Sequence, residues 1–86
     1  MIETAKTLIK CCQYLRMSQQ EATWVLQILS RVEQRMEMID WMRQNIKSNP
    51  EPQEVIIAAG EIQMKHESYR HQKVLFMDLL KMELYI

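Results

Sequence analysis

Residues that form turns and cross-links are scarce in this sequence. Its 86 residues include one glycine, two prolines and two cysteines. So little glycine and proline leaves few positions for the tight turns that join β-strands. Helix-forming residues such as glutamine, glutamate, lysine, methionine and leucine are abundant instead. We therefore predict an all-α fold, and the short length predicts a single domain over residues 1–86.

The sequence also lacks an excess of charge and a long apolar run. Its 11 basic and 11 acidic residues balance, which disfavours a module that binds nucleic acid through a basic surface. The longest apolar run covers residues 55–59 and is too short to span a bilayer. The N-terminus has no apolar core of the length of a signal peptide. We expect a cytoplasmic protein without a membrane partner, which suits two free thiols.

The chain has no recognisable set of residues for catalysis, for a cofactor or for a metal. The segment KHESYRH, residues 65–71, approaches the zinc signature H-E-x-x-H, but His66 and His71 are five residues apart. Four residues leave a helical offset of about 40° and five leave about 140°, so the two imidazoles diverge. Cys11 and Cys12 are adjacent and lack metal-binding spacing. We predict no enzyme activity. We expect Cys12 to lie in the core and Cys11 to be half-buried beside it.

Apolar spacing and capping signals predict three helices. Helix one covers about residues 2–15. Ser18 and Glu21 form a capping box that starts helix two, which we predict to be continuous from 19 to 47 because its apolar residues recur in steps of three and four. After a turn at 48–52, helix three runs to about residue 84, with weak points at Gly60 and 65–73 where it can kink or split. The apolar stripe of helix one comprises Ile2, Ala5, Leu8, Ile9, Cys12 and Leu15.

The short connections predict that helices two and three form a long antiparallel hairpin. Counting from the turn places Met42 level with Ile57, and Trp24 level with Leu75. Helix one lies beside the first half of helix two, so a three-helix bundle forms only at the end away from the turn. The turn end then has two helices and more apolar residues than they can bury. Because so short a chain is marginally stable alone, we expect oligomerisation to complete the fold.

These features predict a non-enzymatic protein that acts through protein–protein contacts. It would form a homodimer, or bind and regulate or inhibit a target protein. The eight methionines fit either a flexible core or an adaptable binding surface. The alternative is a nucleic-acid-binding transcriptional regulator of the helix-turn-helix type, for which the turn at 16–18 is short enough although no basic residue opens the next helix. The predicted contact residues are Met38, Trp41, Met42, Ile56, Ile57 and Ala59.

Overall fold

The described part of the chain folds into four α-helices and one short 3-10 turn. The computed structural model describes the backbone of residues 2–84 and the side chains of residues 3–82, so the side chain of Ile2 in the predicted stripe lies outside it. The all-α prediction is confirmed over the described range, where no strand occurs. Four helices are found where we predicted three. They are α1 (Ile2–Tyr14), α2 (Gln19–Ile28), α3 (Val32–Asn45) and α4 (Pro52–Leu84), with the 3-10 turn at Ile46–Ser48.

The connection between α1 and α2 follows the local signals in the sequence. Arg16 closes α1 in the left-handed conformation, with φ of 61°, and the Met17 N–H donates to the Cys12 carbonyl at 3.0 Å. This bond satisfies a free carbonyl at the helix end. The predicted capping box is confirmed, since the Ser18 N–H donates to Glu21 Oε1 at 2.8 Å and the Glu21 N–H donates to Ser18 Oγ at 3.1 Å.

The prediction of one continuous helix from 19 to 47 is wrong. The Leu29 N–H makes the last bond of α2, to the Val25 carbonyl at 3.0 Å. Arg31 is extended, with φ of −114° and ψ of 151°, and its N–H donates to Gln34 Oε1 at 3.2 Å. The apolar spacing conceals this break because Val25, Leu29 and Val32 still follow steps of three and four.

A single arginine side chain supplies donors to the carbonyl groups that the break leaves free. Arg35 Nε donates to the Leu29 carbonyl at 2.6 Å, and Arg35 Nη2 donates to the Leu26 carbonyl at 3.4 Å. The last carbonyls of a helix have no partner within it, so they need such donors. Arg35 therefore joins the end of α2 to the first turn of α3.

The core lies where all four helices meet. α1 packs on α3 and on α2, and both α2 and α3 pack on α4. Three methionines fill this core, which agrees with the core-filling interpretation for those three. The buried apolar residues are Leu8, Cys12, Leu15, Met17, Ala22, Val25, Leu29, Met38, Ile39, Met42, Val55, Ala58, Ala59 and Ile62.

Because α2 and α3 are separate helices, both lie along the first part of α4. Trp24 and Ile28 share a groove with Ile56, so the prediction that Trp24 lies beside Leu75 is wrong. The predicted three-helix bundle at the end away from the turn at 48–52 is not found either, because α1 packs mainly on α3. We name the folded part formed by residues 2–70 the head.

The second part of α4 projects from the head. α4 is continuous over 33 residues, so the predicted single helix, and not a helix split at Gly60, is found. This length corresponds to about 50 Å of helix. It sets the long dimension of a molecule that measures 57 × 25 × 20 Å. We name residues 71–84 the α4 extension. Residues 85 and 86, which close the predicted apolar segment, lie outside the described range.

Candidate functional site

The α4 extension carries the largest exposed apolar surface among the described residues. Every residue from 71 to 82 is exposed, and seven large apolar side chains there are between 39% and 63% exposed. A helix that is apolar on nearly all sides is normally buried among other helices. The seven residues are Val74, Leu75, Phe76, Met77, Leu79, Leu80 and Met82.

Two apolar stripes run along the α4 extension. The first stripe, Phe76 and Leu80, continues the core face of α4: steps of three and four lead to it from the buried Ile62 through positions 66, 69 and 73. The second stripe lies about 100° further around the helix, because Leu75 and Leu79 precede Phe76 and Leu80 by one residue. It comprises Leu75, Leu79 and Met82.

The segment KHESYRH lies between the core and the α4 extension. Lys65 Nζ donates to Glu37 Oε2 of α3 at 3.4 Å, and His66 Nε2 lies 3.2 Å from Glu37 Oε1. His71 is exposed. This segment therefore ties α4 to the head one turn before the α4 extension begins. A polar groove of about 220 Å³ lies beside it, lined by Arg31, Glu33, His66, Tyr69, Arg70 and Lys73.

The described side chains do not assemble a metal-binding cluster. No group of three or more histidine, cysteine, aspartate or glutamate side chains among them is close enough to hold an ion. Cys11 and Cys12 are both free thiols, with Cys12 buried and Cys11 half-buried, as predicted. Burial, aided by the neighbouring Cys11, raises the pKa of Cys12 from 9.0 to about 11. Because the thiolate is the nucleophile, this residue is unreactive at neutral pH.

A shallow apolar groove of about 270 Å³ separates α1 from the end of α3. The groove is lined by Thr7, Lys10, Cys11, Tyr14, Leu15, Met42, Arg43 and Ile46. Pockets that bind small molecules usually combine an apolar lining with a few converging polar groups. The surface of this groove is almost entirely apolar, so it offers packing surface rather than chemistry.

The residues predicted to contact a partner occupy three different environments. Met38, Met42 and Ala59 belong to the core, whereas Trp41 and Ile56 are partly buried against it. Ile57 is 61% exposed. The premise that two helices alone cover this end is wrong, because α1 packs on α3 there. The assignment of the six as contact residues stays a prediction, and Ile57 offers the largest free area.

Reasoning from the sequence missed the α4 extension as a contact surface. The predicted hairpin assigned Leu75 to a position beside Trp24 and so gave this segment a cover. One signal was nevertheless present, because residues 74–84 are apolar in almost every helical direction and only Asp78, Lys81 and Glu83 interrupt them. Such a segment needs more than one neighbouring helix.

The chain matches no known family model, and no curated protein or solved structure resembles it significantly. Among the described residues, no helix has the length and apolar character needed to span a membrane.

Proposed function

We propose that this chain is a non-enzymatic cytosolic protein that works by helix-to-helix contact with other proteins. The contact surface is the α4 extension, and its partners are further copies of the chain or a target protein that the contact regulates or inhibits. The observation that carries the proposal is the row of seven large apolar side chains exposed between residues 74 and 82.

The energetics of burial support a contact of this kind. Removing one large apolar side chain from water contributes roughly 1.5–3 kcal/mol. Association costs an estimated 4–15 kcal/mol or more in lost translational and rotational freedom. Several side chains of the α4 extension, buried together, suffice to offset that cost.

The head supports the proposal by holding the α4 extension in a defined direction. Val55, Ala59 and Ile62 anchor the first part of the same helix in the core, and Glu37 contacts Lys65 and His66 just before the exposed segment. A helix presented in this way loses little conformational entropy on binding. The simplest homo-oligomer is a closed two-fold dimer, in which like surfaces meet.

The proposal is tested by comparing the wild-type chain with a variant in which Leu75 and Leu80 are both glutamate. An affinity-tagged copy serves as bait for the untagged chain and for proteins of the native host. We expect the wild type to retain a partner that the variant loses, while circular dichroism finds both equally helical. The proposal fails if the wild type is monomeric and captures nothing that the variant does not.

A further inference from the structure

The exposed apolar side chains of the α4 extension are too widely distributed around the helix for one neighbouring helix to cover. The exposed fractions of its seven apolar side chains amount to roughly 800 Å² per chain, which is about the area that each partner buries in a standard-size interface. One neighbouring helix covers the first stripe or the second stripe, but the two face directions about 100° apart. Two neighbours per helix are needed, as in a four-helix bundle.

Resting on the proposed function, we propose that the α4 extensions of four copies of this chain pack together as an antiparallel four-helix bundle. Each helix contacts one neighbour through the first stripe and another neighbour through the second stripe. The partner that covers the apolar surface is therefore the same segment of the other copies.

The positions of the residues within the two stripes favour antiparallel neighbours, because both stripes place the two-fold axis at nearly the same residue. In an antiparallel pair, Phe76 meets Leu80 of its neighbour when the two-fold axis passes beside residue 78. For the second stripe, Leu75 meets Met82 when the axis passes between residues 78 and 79. Four copies related by perpendicular two-fold axes require that both centres coincide, and these two agree to within half a residue.

The charges along α4 also favour the antiparallel direction over the parallel one. In a parallel bundle, each Lys73 lies level with Lys73 of its neighbours, which places like charges together. In the antiparallel register centred at residue 78, Lys73 lies level with position 83 of its neighbour, where the sequence has a glutamate. Opposite charges at flanking positions select the orientation of paired helices.

The heads leave room for this register. With the centre at residue 78, the neighbour's position 84 reaches the level of Gln72. His66, which contacts Glu37 of the head, lies six residues earlier, about 9 Å along the helix. Through Leu84, its last described residue, the neighbouring helix therefore stays short of the level at which His66 contacts Glu37.

Size-exclusion chromatography with light scattering tests the number of copies. We expect the wild type at high micromolar concentration to have the mass of four chains. Phe76→Glu and Leu79→Glu should each reduce it to two chains, because each removes one stripe, and the double variant should be monomeric. Val74→Glu is the matched control, since Val74 is also exposed but lies on neither stripe, and it should keep four chains.

A distance measurement tests the direction of packing. A spin label is attached at Ser68→Cys in the full chain with Cys11→Ser, which leaves only the buried Cys12. Antiparallel neighbours centred at residue 78 separate two labels by about 30 Å along the helix axis, whereas an all-parallel bundle gives only distances below about 20 Å. A component near the longer distance supports the proposal, and its absence overturns it.

The mass measurement also separates this inference from the proposed function. A wild-type mass of one or two chains, or an equal effect of Val74→Glu and Phe76→Glu, overturns the four-copy bundle. If the monomeric chain still binds a foreign protein and Phe76→Glu abolishes that binding, the proposed function stands without the bundle. If no contact depends on Phe76 or on Leu79, both fail.

Discussion

At the residue scale, Gly60 is the least expected residue of α4, because it interrupts a series of helix formers inside a continuous helix. A Cβ atom added there meets no atom within 4 Å. The glycine therefore has no packing role in the single chain, and its backbone freedom in the unfolded state opposes folding.

We expect Gly60→Ala to raise the free energy of unfolding by about 0.5–1 kcal/mol. Urea denaturation followed by circular dichroism measures the change, with Glu61→Ala at the next, exposed position as the control with little effect. A loss of stability in Gly60→Ala would contradict the open space around this residue.

Cys12 gives the protein a defined response to high pH. Burial raises the pKa of its thiol from 9.0 to about 11 in the folded chain. Above pH 9 the unfolded chain loses this proton while the folded chain keeps it, so the unfolded state is favoured as the pH rises. Stability should therefore fall between pH 9 and pH 11, by about 1.4 kcal/mol per pH unit from this group.

Cys12→Ala should remove that part of the pH dependence, whereas Cys11→Ser should keep most of it, because burial is the larger cause of the raised pKa and Cys11 the smaller one. Denaturation midpoints at pH 8, 9, 10 and 11 for the three proteins measure the slopes, and differences between them cancel the titration of lysine and tyrosine. Equal slopes in wild type and Cys12→Ala would mean that the Cys12 thiol ionises as freely in the folded chain as in the unfolded one.

At the element scale, the break between α2 and α3 decides how the helices are arranged. Arg35 bonds to the carbonyls of Leu29 and Leu26 across the break, and Gln34 is buried while its side chain accepts the Arg31 N–H. Both polar side chains occupy positions that a continuous helix would direct elsewhere. Side-chain hydrogen bonds therefore hold the break in a defined conformation.

We expect Arg35→Met to lower the free energy of unfolding by about 1–2 kcal/mol, because two part-buried hydrogen bonds from a charged donor are lost while the aliphatic length is kept. Arg43→Met, an exposed arginine of the same helix, is the matched control and should have little effect. Urea midpoints compare the two. If both variants unfold like the wild type, the guanidinium does not stabilise the break.

At the scale of the whole molecule, the break leaves the end of α4 uncovered. Both α2 and α3 lie along the first part of α4, whereas residues 71–82 are all exposed, although Lys73 shares a groove with Arg31 and Glu33 of the head. Local stability should differ accordingly, since a single exposed helix opens readily while a helix packed in a core does not. Association should remove this difference, because the partner binds residues 71–82 only when they are helical.

Hydrogen exchange at two protein concentrations measures this effect. We expect the amides of residues 71–82 to exchange rapidly in dilute solution and to gain protection of tenfold or more at high concentration, a change of about 1.4 kcal/mol. The core amides of residues 55–62 should be protected at both. In Phe76→Glu the dependence on concentration should weaken, and protection of residues 71–82 that ignores concentration would contradict association through this segment.

Local sequence signals predicted the parts of the fold that depend on neighbours in the chain. The capping box at Ser18 and Glu21 is confirmed because a cap involves residues three apart. The start of α4 at Pro52 follows from turn chemistry in the same way, and the helix continues through Gly60 because the residues on both sides are strong helix formers. Cys12 was correctly placed in the core because it belongs to an apolar stripe of a single helix.

The tertiary structure alone decided which surface is exposed. Steps of three and four among Val25, Leu29 and Val32 fit one long helix as well as two short ones. The extended backbone of Arg31 and the bonds of Arg35 across the break distinguish them. That difference moves α2 to the first part of α4, buries Met38 and Met42 inside the chain and exposes residues 74–82. The sequence by itself determined that the chain is helical and richer in apolar residues than its helices can bury, because composition and periodicity are properties of the chain. Where the surplus lies depends on which helices meet, and contacts between residues distant in sequence decide that.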